Sequence, residues 1–254
     1  MFRFCSLVSG SSGNSLFIEN DDTKLLVDCG VSCKRTTELL NTIGVNIKDI
    51  DAVLITHEHS DHINGLDIIS KYYNIPVYTN LRTAEALREK CPNVQDINIV
   101  DGSFKINSID VFSFPTPHDV PSCCYSFTYE DKKITMATDI GHLSPAVISA
   151  FENCDFAYIE SNHDVEMVSN GPYHYNLKRR ILSDHGHLSN KVCAEFIVKM
   201  VQEGTKTFML GHLSNENNTP DIALSETLNA LEFFNLKANV SVAPRNFPGS
   251  FINL

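Results

Sequence analysis

The most informative stretch of the sequence is Thr56-His57-Glu58-His59-Ser60-Asp61-His62, directly after the apolar run Ala52-Val53-Leu54-Ile55. The apolar run predicts a buried strand, so these polar side chains lie where the strand gives way to a loop. Alternate side chains of an extended segment point the same way, which lets His57 and His59 bind one metal ion together. Asp61 and His62 then turn toward a second ion. An exposed loop that happens to be rich in histidine is the alternative, but four ligand-type residues at this spacing rarely arise by chance.

The composition is that of an ordinary enzyme. The 254 residues are 43% hydrophobic, enough for a sizeable core, and the length allows one or two domains. No apolar run approaches the roughly 18 residues of a membrane span, so we expect no membrane partner. The start, Met1-Phe2-Arg3-Phe4-Cys5, lacks the long apolar region and cleavage site of a signal peptide. Eight cysteines without a CxxC pair indicate reduced thiols, and we expect a cytoplasmic protein.

Short apolar runs and helical periodicity follow one another without a linker. Strands are predicted near residues 2–8, 14–19, 23–28, 51–55, 97–100, 109–114, 123–129, 132–138, 155–160, 206–211 and 239–243. Helices are predicted at 189–201 and 220–235, with weaker periodicity at 32–43, 62–73, 82–90 and 144–152. Each half begins with hairpin-like strands and continues with alternating strands and helices. We therefore expect an α/β protein of two packed sheets with helices outside, forming a single domain over residues 1–254.

Three further candidate ligands, His118, Asp139 and His212, each follow a predicted strand. Each of them alone is more typical of a turn or a cap, but with the first cluster they complete a set of seven. The set divides into His57, His59 and His118 on one metal ion and Asp61, His62 and His212 on the other, with Asp139 bridging both. Imidazole and carboxylate ligands suit a hydrolytic site that keeps a position open for water. The sequence thus predicts two divalent metal ions, zinc or manganese.

Four other motifs carry a resemblance to a known family. They are Ser9-Gly10-Ser11-Ser12-Gly13-Asn14-Ser15, Glu160-Ser161-Asn162-His163-Asp164, Leu177-Lys178-Arg179-Arg180-Ile181-Leu182-Ser183-Asp184-His185-Gly186-His187-Leu188-Ser189-Asn190, and Gly211-His212-Leu213-Ser214-Asn215-Glu216-Asn217-Asn218. With the ligand set, they resemble the YycJ/VicX (WalJ) family of bacterial metallo-β-lactamase-fold proteins over essentially the whole chain. The resemblance implies a four-layer αββα sandwich and an exonuclease that acts on DNA. Asp139 and His212 are too close in sequence for the large inserted domain of the ribonuclease J type.

The chain is also similar to ribonuclease Z, where a Glu at a strand end pairs with a His before a later helix. Glu160 and His187 occupy those places, although no long arm for gripping tRNA is evident. The resemblance makes His187 the candidate general acid for the leaving oxygen, oriented and kept charged by Glu160. The residues alone leave the alternatives open: His187 as a polar residue at a helix start, and Glu160 as a solvated strand end.

Hydrolysis of a phosphodiester builds negative charge on the phosphate and on the leaving oxygen. Two metal ions stabilise both charges and activate a shared water, so a metal-bridging hydroxide is the expected nucleophile. Asp61 is expected to hold this hydroxide in line and take its proton, besides binding metal. The other histidines, His142, His163, His174 and His185, fit no ligand position, and Asp119 is a candidate partner for a ligand histidine.

Two features concern substrate binding. Ser11, Ser12 and Asn14 lie in a loop that offers N–H groups and hydroxyls to a phosphate, or that simply closes a tight hairpin. Lys178, Arg179 and Arg180 form the one dense basic run of the sequence. It is either a solvated helix face or a grip on backbone phosphates.

The predicted function is a dinuclear metal-dependent phosphodiesterase, an exonuclease whose partner is DNA. A thioester or lactone hydrolase of the same fold is the alternative, and the net charge of −11 favours it slightly because that charge opposes broad non-specific binding to nucleic acid. A regulatory protein with a vestigial site is a third hypothesis. The intact ligand set argues against it.

Overall fold

The computed structural model describes residues 1–254, which form two seven-stranded mixed sheets packed face to face. The strands are β1 (Arg3–Val8), β2 (Ser15–Glu19), β3 (Lys24–Val27), β4 (Ala52–Leu54), β5 (Val77–Thr79), β6 (Ile97–Ile99), β7 (Gly102–Ile106), β8 (Ile109–Thr116), β9 (Ser122–Tyr129), β10 (Lys132–Ala137), β11 (Phe156–Glu160), β12 (Thr207–Gly211), β13 (Asn239–Val242) and β14 (Ile252–Asn253). The helices are α1 (Cys33–Thr42), α2 (Ser60–Ile63), α3 (Leu66–Tyr73), α4 (Leu81–Lys90), α5 (Pro145–Ala150), α6 (Val165–Asn170), α7 (Tyr175–Ile181), α8 (Asn190–Gln202) and α9 (Pro220–Phe233), with a short 3-10 helix at Ile47–Asp49. None of the helices is both long enough and apolar enough to cross a membrane.

Both sheets follow the same plan. Their orders are β14-β1-β2-β3-β4-β5-β6 and β13-β12-β11-β10-β9-β8-β7. Each begins with antiparallel hairpins and continues with parallel strands, β3 to β6 in the first sheet and β10 to β13 in the second. Parallel neighbours need a crossover, and helices supply it at every step. The predicted α/β sandwich is confirmed.

The two-residue period of the strands decides which side chains fill which core. In β3, Leu25 and Val27 pack between the sheets, whereas Leu26 faces the outer layer of helices. All three side chains are fully buried because helices cover the outer face as well. A strand buried on both faces reads as a continuous apolar run, which is what made β3 and β4 visible in the sequence.

The predicted helix at 62–73 is wrong in its details, because a turn divides α2 from α3. The amide of Gly65 donates to the carbonyl of Cys29 at 2.8 Å, and the carbonyl of Asp61 accepts from the amide of Asn14 at 2.8 Å. These two bonds replace the bond from Gly65 to Asp61 that a continuous helix would contain. The turn ties the histidine cluster to two neighbouring loops.

Other short elements escaped prediction. They are β5, β7, β14, α6 and α7. The remaining predicted strands and helices are present with ends that differ by one or two residues. Parallel alignment brings the carboxyl ends of β3, β4, β8, β10, β11 and β12 to a common edge of the two sheets.

Candidate metal centre

The predicted ligands all lie at that common edge. His57 follows β4, His118 follows β8, Asp139 follows β10 and His212 follows β12. Three residues there have left-handed backbone conformations, Asp28 (φ 62°), Asp139 (φ 57°) and His212 (φ 54°). This conformation costs roughly 1–2 kcal/mol for a residue with a side chain. The strands β3, β10 and β12 therefore each end in a sharp, strained turn that carries a polar side chain at this edge.

The structure brings the seven predicted ligands together. Candidate ligand atoms lie within 4.8 Å of one another in four groups: His57, His59 and His118; His57, His62 and Asp139; Asp61, His62 and His212; and Asp139, Glu160, His187 and His212. Asp139 lies between the two halves, with Oδ2 3.2 Å from His62 Nε2 and Oδ1 3.7 Å from His118 Nε2. Its position is that of a carboxylate able to serve two ions at once.

Several atoms of this cluster have no hydrogen-bond partner although they are buried. They are His118 Nε2, His212 Nε2 and Asp139 Oδ2, whose charged neighbours at 3.2 to 3.7 Å do not have hydrogen-bond geometry toward them. Buried polar atoms are almost always satisfied, so three orphans facing one space need a partner. Imidazole nitrogens and carboxylate oxygens are the ligands of zinc and of similar divalent ions. The residues present therefore fit a pair of divalent metal ions.

Hydrogen bonds to the outer ring nitrogens orient the histidines. The Nδ1 partners are Thr56 Oγ1 for His57 (3.0 Å), Asp28 Oδ2 for His62 (2.8 Å), the Gly186 carbonyl for His118 (3.2 Å) and Glu160 Oε1 for His212 (2.8 Å). Each bond turns the opposite nitrogen, Nε2, toward the centre, as metal-binding histidines require.

His59 is turned the other way. Its Nδ1 lies 3.1 Å from His57 Nε2, and its Nε2 lies 3.4 Å from Asp119 Oδ1. Asp119, a candidate partner for a ligand histidine, contacts two of them, because its Oδ1 also lies 3.2 Å from His118 Nε2.

Asp28 is the site residue that the sequence analysis missed. Its side chain accepts from the amide and the hydroxyl of Thr56, both at 2.9 Å, and from His62 Nδ1 at 2.8 Å. Burial opposes the charged form of His62, but Asp28 and Asp139 outweigh it and raise its pKa well above the usual value. The sequence did contain a signal for Asp28, because this aspartate follows the predicted strand β3 just as the candidate ligand Asp139 follows β10.

Glu160 and His187 are in contact. His187 Nδ1 donates to Glu160 Oε1 at 2.8 Å, and His212 Nδ1 donates to the same oxygen at 2.8 Å. The other oxygen, Oε2, accepts from the amides of Ile140 and Leu188 at 2.9 and 3.0 Å. Burial alone would raise the pKa of Glu160, but its histidine neighbours lower it to about 2. Burial likewise opposes charge on His187, yet Glu160 raises its pKa above the usual value.

The ring of His187 reaches the mouth of the centre, since its side chain remains 19% exposed while that of Glu160 is fully buried. A charged imidazole held at the edge of a metal cluster can deliver a proton to a group bound there. One oxygen of Glu160 accepts from both His187 and the predicted ligand His212. The sequence analysis predicted only the contact with His187.

The candidate substrate-binding residues are placed differently from one another. Ser11 and Ser12 are exposed, whereas Asn14 is buried. The Asn14 side chain accepts from the amide of Gly10 at 3.0 Å, and its nitrogen lies 3.1 Å from His62 Nε2. Asn14 therefore braces the loop against the cluster, while the two serines face solvent.

The basic run lies on α7. Lys178 donates to the carbonyl of Ser169 at 2.8 Å, Arg179 is exposed, and Arg180 forms an ion pair with Asp119. Only Arg180 contacts a residue that touches the cluster. Their role in substrate binding, like that of Ser11 and Ser12, stays a prediction.

The histidines outside the ligand set lie around the centre or on the surface. His142 bonds to the carbonyl of Asp184, His163 is buried, and His174 and His185 are exposed. None belongs to a group of converging ligand atoms.

Comparison with known proteins identifies the family. A model of the beta-lactamase superfamily domain matches residues 23–212. Exodeoxyribonuclease WalJ of Streptococcus pneumoniae serotype 2 is 42% identical over 241 residues, 91% of this chain and 88% of the relative. Exodeoxyribonuclease YycJ of Bacillus anthracis is 38% identical over 235 residues, 91% and 89% of the two chains.

More distant similarity agrees with this assignment. Ribonuclease Z of Methanopyrus kandleri is 29% identical over 119 residues, 43% of this chain and 42% of the relative. The solved metallo-beta-lactamase fold protein YhfI from Bacillus subtilis superposes with a TM-score of 0.73 at 18% identity, covering 98% and 99% of the two chains. The chain thus belongs to the beta-lactamase superfamily and is a hydrolase of the metallo-β-lactamase fold, with the exodeoxyribonucleases WalJ and YycJ among its relatives.

Proposed function

We propose that this hydrolase is a dinuclear metal-dependent phosphodiesterase that removes nucleotides from an end of DNA. The observation that carries the proposal is the contact of His187 with Glu160 beside the seven-ligand cluster. A phosphodiester has a leaving oxygen that needs a proton, and this pair supplies one at the required place. The exodeoxyribonuclease activity of the relatives WalJ and YycJ supports the same substrate class.

The ligands divide as their contacts suggest. His57, His59 and His118 would hold one ion, Asp61, His62 and His212 the other, and Asp139 both. When bound, a pair of zinc or manganese ions supplies charge stabilisation for the phosphate and a water of lowered pKa.

The chain's own residues then act on the two reacting oxygens. Asp61, whose Oδ2 lies 3.6 Å from His62 Nε2 and 3.7 Å from His212 Nε2, orients the attacking water and takes its proton. His187 donates the proton at the opposite end, to the oxygen that leaves. Glu160 stabilises the charged form of His187 before the transfer and fixes the direction of its ring.

Substrate contacts come from the rim of the centre. The exposed hydroxyls of Ser11 and Ser12 and the cations of α7 are the groups available to backbone phosphates. Contacts of this kind position a strand without reading its sequence, as an exonuclease requires.

We also propose a cytoplasmic location. All eight cysteines are free thiols, seven of them buried, and free thiols persist in a reducing environment, which supports this proposal.

The test compares substrates with and without ends. End-labelled single- and double-stranded DNA and RNA are incubated with the zinc- and manganese-loaded protein, beside covalently closed circular DNA. Release of labelled mononucleotides from linear DNA, with circular DNA left intact, is the expected result.

Two outcomes would contradict the proposal. Cleavage of circular DNA would mean endonuclease activity. Intact nucleic acids together with hydrolysis of a thioester or a lactone would favour the small-molecule hydrolase, which the net charge of −11 makes the second candidate.

A further inference from the structure

Helix α7 is weakly attached to the body of the protein. Ile181 is its one buried residue, so it has little apolar contact to hold it. Its polar side-chain attachments are the bond from Lys178 to the Ser169 carbonyl and the ion pair between Arg180 and Asp119, and the Ile181 carbonyl accepts from the amide of His187 at 3.1 Å. A helix of this kind can shift at small cost, because segments with few buried contacts open most easily.

The Asp119 carboxylate joins this helix to the metal centre. Its Oδ1 lies 3.2 Å from His118 Nε2 and 3.4 Å from His59 Nε2, while Oδ2 faces the Arg180 guanidinium. Arg180 thus lies one carboxylate away from two predicted ligands. Arg179, the neighbouring cation, is exposed and pairs with no carboxylate.

The carboxylate and a substrate phosphate compete for the same cation. The side chains of Asp119 and Arg180 are 27% and 53% exposed, and ion pairs with this exposure are weak. Guanidinium binds phosphate in the same two-pronged manner as carboxylate, and this partly exposed pair lies beside two of the predicted ligands that a reacting phosphate would approach. If Asp119 kept its contact with Arg180, its negative charge would repel the phosphates of the strand.

We propose that Asp119 holds Arg180 at the mouth of the centre until a substrate phosphate replaces the carboxylate, so that Arg180 is the cation of α7 that contacts the phosphate beside the reacting one. The inference rests on the proposed function, because it needs a substrate with a phosphate backbone. The three adjacent cations then have different roles. Lys178 attaches the helix, Arg180 binds a substrate phosphate beside the centre, and Arg179 lies on the outer face.

A double-mutant cycle tests the displacement. The probe is a fluorescent oligonucleotide with phosphorothioate linkages that resist hydrolysis, and its affinity for the metal-loaded protein is measured by anisotropy. Asp119→Asn removes a negative charge, which tightens binding to some degree in every background. It also releases Arg180, and this second gain exists only where Arg180 is present. We expect the effect of Asp119→Asn to be about two- to fivefold larger in the wild-type background than in Arg180→Gln, the range for a weak exposed pair.

The controls separate this effect from changes at the metal ions. Any loosening of His59 by Asp119→Asn occurs in both backgrounds and cancels in the cycle, and elemental analysis of each variant checks the ion content. Arg179→Gln is the matched background: the effect of Asp119→Asn there should equal that in the wild type.

Equal effects of Asp119→Asn with and without Arg180 would overturn the inference and leave the proposed function standing. Weaker binding caused by Asp119→Asn only when Arg180 is present would also overturn it, since the carboxylate would then be positioning the cation for substrate. A wild-type protein that binds no oligonucleotide would overturn both.

Discussion

Replacing Glu160 by glutamine tests the centre with a change that alters almost no volume. The two carboxylate oxygens accept four N–H groups, from His187, His212, Ile140 and Leu188, at 2.8 to 3.0 Å. A glutamine has one oxygen and one NH2 group at the same positions. With the NH2 toward Ile140 and Leu188, two buried backbone N–H groups lose their acceptor; with the NH2 toward the histidines, both imidazoles must give up the Nδ1 proton in order to accept from it.

The magnitude follows from that count. A buried donor left without an acceptor costs about 1–3 kcal/mol, so two of them cost about 2–6 kcal/mol, and exchanging two charge-assisted histidine bonds for neutral ones costs about 2 kcal/mol. For a chain of this size the melting temperature should fall by roughly 5–20 °C. Glu160 is fully buried, so solvent does not reduce this cost.

Chemical denaturation of the metal-free protein measures the change, since bound ions would add their own stabilisation. The matched control is Glu195→Gln on the exposed face of α8, which should change the free energy of unfolding by less than about 0.5 kcal/mol. A Glu160→Gln variant within about 1 kcal/mol of the wild type would refute the four-bond arrangement.

The remaining predictions concern metal, rate and binding. His59→Ala should lose at least one of two divalent ions per chain by elemental analysis, and a metal-replete wild type with a single ion would exclude the dinuclear centre. His187→Ala should slow hydrolysis by about 10²–10⁴-fold with its metal content intact, and by less on a substrate whose leaving group needs no proton; loss of metal would instead make His187 a ligand. Burial opposes charge on His187, but Glu160 raises its pKa above the usual value, so in the metal-free protein the His187 ring should keep its proton beyond pH 6.5 and lose it as pH rises through the raised pKa, as NMR titration of the ring measures; a midpoint below 6.5 would contradict this. Replacing both Arg179 and Arg180 by Glu should weaken DNA binding equally on all sequences. It should also flatten the salt dependence of binding by about one phosphate contact per cation that touches the backbone, whereas an unchanged slope would mean that these cations only face solvent.

The parts of the centre that sequence predicted are those fixed by local order. His57 to His62 are contiguous, so their convergence depends only on how one strand ends. His118 and His212 were found because they follow apolar runs whose ends meet at one edge when strands are parallel. Asp28 obeys the same rule and could have been found by applying it to β3.

The parts that sequence could not predict depend on register between distant strands. Glu160 reaches His212 because β11 and β12 pair in parallel with Glu160 opposite Gly211. No local pattern carries that register. Helix α7 was missed because only Ile181 is buried and its polar, exposed surface lacks the apolar period of a packed helix.

The Glu160 oxygen shared by His187 and His212 couples proton binding at His187 to metal binding at His212. A cation bound to Nε2 of His212 adds positive charge close to His187. It also strengthens the bond from His212 Nδ1 to Glu160 Oε1, the oxygen that accepts from His187. It must therefore make His187 a stronger acid. By thermodynamic reciprocity, a proton arriving on His187 weakens the hold on that cation by the same factor. Mild acid should thus weaken metal binding through His187 as well as through protonation of the ligand histidines, and the affinity of the protein for metal should depend on pH more steeply than the ligands alone would require.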